Sequence, residues 1–92
     1  MSSETTADQV AESVLAVPGV EGLHAGVLGE VATYLPGRRI NGVRLSADVC
    51  EVHVVVAWDA DLRSIADDVR GHLAALVDVP VTVTVEDVAA PS

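Results

Sequence analysis

The sequence contains no lysine, no phenylalanine and only one cysteine. Without lysine, its five basic residues are all arginine, against 14 acids, for a formal charge of −9. Nucleic acids and anionic lipids are bound by cations that displace counterions, so this balance argues against both. Without phenylalanine, and with one Trp and one Tyr, the core has to come from Val, Leu, Ile and Ala. Val dominates, and its stiff β-branched side chain favours sheet. Cys50 alone cannot form an internal disulfide; among apolar neighbours it reads as a small buried hydrophobe rather than a nucleophile. No apolar run approaches the ~18 residues that cross a bilayer. Residues Met1 to Asp8 have neither the basic nor the apolar region of a secretory signal. These absences predict a cytoplasmic protein. A chain of 92 residues makes one domain with a thin core, burying only about 60–65% of the surface its unfolded form exposes.

What is present is organised around Glu51–Trp58, the longest strand-like run. Cys50, Val52, Val54, Val56 and Trp58 share one face of the pleat; Val49, Glu51, His53, Val55 and Ala57 share the other. One face is wholly apolar and the other mixed, as in a strand buried on one side and open on the other. Ahead of it, Thr6 and Gln9 have the spacing of a capping box. The spacing of Val10, Val14, Leu15 and Val17 predicts a helix over Thr6–Val17, stopped by Pro18-Gly19. Val20–Gly26 reads as a weak edge strand. Val27, Leu28, Val31 and Leu35 have the spacing of a helical turn or two, sealed by Tyr34. Ile40–Ala47 reads as a strand joined to the central run by a short antiparallel connection. After Asp59 or Asp61 as cap, Leu62, Ile65, Ala66, Val69, Leu73, Leu76 and Val77 form the apolar stripe of a second helix. In Val81–Val88, valines at 81, 83 and 85 alternate with Thr82, Thr84 and Glu86, a clear strand.

The order predicts an α+β fold, α-β-β-β-α-β. It is a two-layer sandwich in which two helices pack on one face of a mixed or antiparallel sheet of about four strands. The single domain covers residues 6–88, with flexible tails at 1–5 and 89–92. The helix-free face then carries Arg44, Glu51, His53, Thr82, Thr84 and Glu86.

Constellations of chemistry fail one by one. Gly37 and Gly42 have phosphate-loop spacing, but Val43 and Arg44 stand where Lys and Ser/Thr are needed. His24, His53 and His72 fall in different elements without metal-ligand spacing. Asp59, Asp61, Asp67 and Asp68 suit helix capping and a solvated face, and lack the pattern of a calcium loop. Gly26-Val27-Leu28-Gly29 matches the GXXG loop of KH domains. This gives an alternative reading as a single-stranded RNA module, opposed by the −9 charge. A small-molecule-binding or catalytic domain is a weaker reading still. No catalytic, cofactor or metal site is assigned. Pro36–Gly42 presents Arg38 and Arg39 between glycines, and guanidinium forks there suit a carboxylate- or phosphate-bearing partner or the chain's own acids. The candidate partner surface is therefore Arg38, Arg39, Arg44, Glu51, His53, Thr82 and Thr84.

Five stretches in order carry a resemblance: Val17–Leu23 (VPGVEGL), Leu35–Val43 (LPGRRINGV), Val52–Trp58 (VHVVVAW), the helical segment Ile65–Val77, and Val81–Val88 (VTVTVEDV). Over Val10–Val88 the chain resembles the alkaline shock protein family of envelope stress response proteins. It departs in having Thr82 and Thr84 where Asn and His are common, and in lacking long charged tails. The resemblance implies a compact α+β domain with no assigned catalytic residue or cofactor. It also implies abundance in the cytoplasm, self-assembly into a homo-oligomer, and attachment near the membrane through a small membrane-anchored protein partner. On this footing the expected function is that of a non-catalytic scaffold or adaptor acting through protein–protein contacts.

Overall fold

The computed structural model describes residues 6–91; the expected tail at 1–5, and Ser92 at the other end, lie outside them. Helix α1 runs Ala7–Leu15 with Thr6 as its N-cap. The Thr6 hydroxyl accepts from the Gln9 amide at 3.2 Å, and the Thr6 amide donates to Gln9 Oε1 at 3.0 Å, so two amides orphaned at the helix start are satisfied reciprocally. Gly19, at φ +95°, turns the chain into strand β1 (Val20–Leu23).

Strand β5 (Cys50–Val56) is the centre of the sheet. Strand β4 (Val43–Leu45) pairs antiparallel with its first half, Val43 opposite Val52 and Leu45 opposite Cys50. Strand β1 pairs antiparallel with its second half, Leu23 opposite Val54 and Val20 opposite Val56. Strand β6 (Val81–Val88) lies parallel to β5 along its other edge, reached through helix α2 (Leu62–Ala74). Asp61 caps α2, accepting from the amides of Arg63 at 3.1 Å and Ser64 at 3.2 Å.

Both helices cover one face. Val10 and Val14 of α1, Ile65, Val69 and Leu73 of α2, and Cys50, Val52, Val54 and Val56 of β5 form one buried cluster. All four inward residues of β5 are fully buried, while Glu51, His53 and Val55 between them remain partly open. The α+β class and the expected element order stand.

Four details of the sequence reading are corrected. The expected helical turns over Val27–Leu35 give way to strand β2 (Ala32–Leu35), which forms a hairpin with strand β3 (Arg38–Asn41). Pro36-Gly37 is its two-residue turn, and Gly37 takes the φ of +76° that this position demands. Tyr34 seals nothing; it is 70% exposed. The strand expected over Ile40–Ala47 is broken at Gly42, which separates β3 from β4. Trp58 leaves the apolar face because β5 ends at Val56 and a turn closed by the Ala60 amide on the Ala57 carbonyl, 3.0 Å, swings it outward. Just past the end of β6, the Ala89 amide donates to the Val56 carbonyl at 2.8 Å.

Cys50 is fully buried, and burial first, then the negative charge of Glu51, pushes its thiol above the ordinary range. Only the thiolate attacks, so modification has to wait for opening of the sheet. Labelling of Cys50 by a thiol reagent is expected to be at least ~1,000-fold slower in the native protein than in urea. Native labelling near the unfolded rate would show the central strand to be accessible.

Candidate functional site

The face of the sheet opposite the helices is built by the outward residues of β5 and its neighbours. Register sets Arg44 opposite Glu51 on one side, and Thr82 beside Glu51 and Thr84 beside His53 on the other. Past Val54 the β5–β6 register slips, so that Val55 pairs with Asp87 and Glu86 is the extra residue. A bulge of this kind re-aims a side chain. Here Glu86 turns to His53, whose Nδ1–H donates to Glu86 Oε2 at 2.5 Å. On the other side of the ring, Nε2 lies 3.7 Å from Glu51 Oε1, and Glu51 Oε2 lies 3.7 Å from Arg44. Arg44, Glu51, His53 and Glu86 thus form a row of alternating polar contacts across three strands, with the His53 side chain 13% exposed.

His53 is also where the far edge of β5 changes hands. Its amide donates to the Gly42 carbonyl, and its carbonyl accepts from the His24 amide, each at 2.9 Å. Both backbone groups are satisfied, one by the chain entering β4 and one by the chain leaving β1.

The arginines behave differently from one another. Arg38, at the hairpin turn, makes a two-pronged ion pair with Asp8 at the start of α1, one prong being 3.0 Å. It does not join the face. Arg39 stacks over Tyr34, its cross-strand neighbour, 5.3 Å from the ring centroid, and donates to the Gly29 carbonyl. Arg44 donates to the Glu30 carbonyl at 2.7 Å. Two arginines therefore brace the turn Gly26–Glu30, at whose tip Val27 and Leu28 are each 88% exposed.

That turn contains the GXXG tetrapeptide, and three of its amides, those of Gly26, Leu28 and Gly29, are already engaged. The Gly29 amide donates to the Gly26 carbonyl at 3.1 Å, and the Leu28 amide donates to Glu30 Oε1 at 3.0 Å. The Glu30 carboxylate folds back over Gly26, within 2.8 Å of where a Cβ there would stand. Its own amide first, then the Leu28 amide and the charges of His53 and Arg44, hold Glu30 below the ordinary carboxylate range. A carboxylate therefore lies against the turn that a KH-type loop would offer to a nucleotide phosphate.

The three histidines do not converge. His24 Nδ1 accepts from the Gly26 amide at 2.9 Å, and His72 Nδ1–H donates to the Asp68 carbonyl at 2.8 Å. Among the described residues, no group of three His, Cys, Asp or Glu side chains is placed to hold a metal ion. A shallow depression lined by Gln9, Glu12, Ser13 and Leu76 lies on the helix side and brings together only one ionisable group.

Of the seven predicted surface residues, then, Arg44, Glu51, His53, Thr82 and Thr84 share one face, Arg39 flanks it through the Gly26–Glu30 turn, and Arg38 is spent on Asp8. Missed from the sequence were Glu30 and the contact of Glu86 with His53. The alternation of Glu86 with Thr82 and Thr84 signalled the correct face, but its meeting with His53 depends on the bulge. Among the described residues, no helix is long and apolar enough to cross a membrane. Comparison with models of known protein families, with curated proteins and with solved structures finds no match to this chain.

Proposed function

We propose that this domain is a non-catalytic adaptor that works in the cytoplasm by docking a protein partner on the helix-free face of its sheet. The observation that carries this reading is the face itself: both helices lie on the opposite side, and Arg44, Glu51, His53, Thr84 and Glu86 are held in register on the side left open. Charges already paired to one another offer orientation and specificity to a partner more than raw affinity. The resemblance to envelope stress proteins supports a role for such an adaptor in the response to envelope damage, with a small membrane-anchored protein among its partners and with self-association. A KH-like role is disfavoured by Glu30 in the GXXG turn and by the overall charge.

Capture by crosslinking from the native cell tests the face. Arg39→Glu combined with Arg44→Gln is expected to deplete the captured partner set at least about tenfold, in keeping with 1–2 kcal/mol per desolvated interfacial contact, with an unchanged circular dichroism spectrum. An unaltered partner set overturns the surface assignment. A salt-dependent shift with single-stranded RNA would favour the nucleic-acid reading instead.

A further inference from the structure

Among the described residues the outer edge of strand β6 pairs with no other strand, and the adaptor face does not use it. At eight residues, β6 is the longest strand in the domain. Edge strands of monomeric proteins are commonly short or guarded by charges, proline or a bulge; in β6 the acids and the bulge fall at Glu86 and Asp87, and Val81–Val85 carries no such guard. The opposite edge of β5 is divided between β1 and β4, and the β2 side reaches its Gly42–Val43 stretch through the Val31 carbonyl and the Thr33 hydroxyl.

Backbone direction along β6 follows from its start. The Cys50 amide donates to the Pro80 carbonyl at 2.9 Å, so even-numbered residues from Pro80 turn their backbone groups to β5. Those of Val81, Val83 and Val85 then face outward, because ladder groups alternate along a strand. The side chains of these same three valines are only partly buried, whereas Cys50, Val52 and Val54 beside them are fully buried. Val81, Val83 and Val85 pack at the margin of the buried core, as do the partly buried Val77 and Val79 that precede the strand.

We propose that β6 pairs antiparallel with β6 of a second copy of this chain, about a two-fold axis through Val83. The sequence is self-complementary in that register. Val83 faces itself, Val81 faces the second copy's Val85, and Thr82 faces its Thr84, all favourable cross-strand pairs. Glu86 meets Pro80 and not another acid, and Pro80 loses nothing there because its carbonyl already points to β5. Val83 turns both backbone groups outward, so in this register the central pair is a hydrogen-bonded one. The helix layers then lie on the same side, and the two adaptor faces join in one continuous sheet. The surface is isologous, so assembly closes at two copies.

The inference deepens the adaptor reading by naming its self-association surface, yet it stands on the edge and not on the partner face. The test measures mass by light scattering across a concentration series, with hydrogen exchange at Val81, Val83 and Val85. The wild-type chain is expected to reach twice the monomer mass, and exchange at those amides to slow at least tenfold on going from dilute to concentrated protein. Val83→Pro removes an outward amide while sparing the β5 ladder, and is expected to be monomeric. Should that variant misfold, Thr82→Lys with Thr84→Lys sets like charges opposite each other while reducing the chain's net negative charge, so loss of dimer there reflects the local clash. A strict monomer at every concentration overturns the proposal, as does a dimer that survives these changes with unprotected β6 amides. Arg39→Glu with Arg44→Gln, on the far side of the sheet, is expected to leave the mass at twice the monomer, which separates failure of the edge from failure of the face.

Discussion

Replacing Gly42 by alanine is expected to lower the free energy of unfolding by about 3 kcal/mol or more, adding a left-handed backbone penalty to an overpacking one. Gly42 has φ +81°. A Cβ there would stand 2.8 Å from Leu23 Cβ, 2.9 Å from the His24 nitrogen and 2.9 Å from the His53 carbonyl oxygen. Two of the three atoms are backbone, joined to each other in the hydrogen bond that links β1 to β5. Gly42 itself donates to the Val31 carbonyl at 2.8 Å and accepts from the His53 amide at 2.9 Å. No side-chain rotation relieves the clash, so the junction of β1, β4 and β5 has to open. The midpoint of urea unfolding reads the effect. Gly71→Ala is the contrasting change: Gly71 lies inside α2 with nothing within 4 Å of an added Cβ. It should stabilise by up to about 1 kcal/mol. Equal behaviour of the two variants would mean that the close approach at Gly42 carries no weight.

Leu73→Ala is expected to cost about 2–5 kcal/mol, the range for removing a buried leucine and leaving a cavity. Leu73 is fully buried in the cluster that joins both helices to β5. In a domain whose total stability is about 5–15 kcal/mol, that is enough to unfold a sizeable fraction near body temperature. Leu62→Ala, at the start of the same helix, should cost under about 1 kcal/mol, because Leu62 is 47% exposed. Apolar spacing put both leucines in one stripe. Thermal unfolding that ranked them equally would show the stripe to be buried along its whole length.

The difference between those two leucines shows how much of the fold is legible in the residues. Features encoded within a few positions read well. The Thr6–Gln9 box, the alternation at 50–56 and again at 81–85, the Asp61 cap and the Ile65–Leu73 face are all local, and all stand. Features that depend on what arrives from elsewhere do not. Leu62 and Trp58 were placed inward by period alone, and each lies at an element end where the chain turns away from the core. Val27, Leu28, Val31 and Leu35 mimic a helix face, yet two of them ride an exposed turn. The Pro36-Gly37 pair between Thr33–Leu35 and Arg38–Ile40 was the signal for a hairpin. At the candidate site, the shared face of Glu51, His53, Thr82 and Thr84 followed from alternation. The pairing of Arg38 with Asp8 and of Glu86 with His53 span 30 and 33 positions, and no local pattern announces either one.

The parallel placement of β6 sets an order of events during synthesis. Every other neighbour of β5 has been made by the time β5 itself emerges, since β1 and β4 precede it in the chain. β6 alone follows, after the whole of α2. Until it arrives, Cys50, Val52, Val54 and Val56 sit on a strand with one bare flank, and an incomplete chain offers that flank to any extended segment within reach. Long-range parallel pairing is also slow, because a large loop must close before contacts reward it. The growing chain is therefore at its most adhesive just before the last strand docks, and protection by chaperones matters most in that interval.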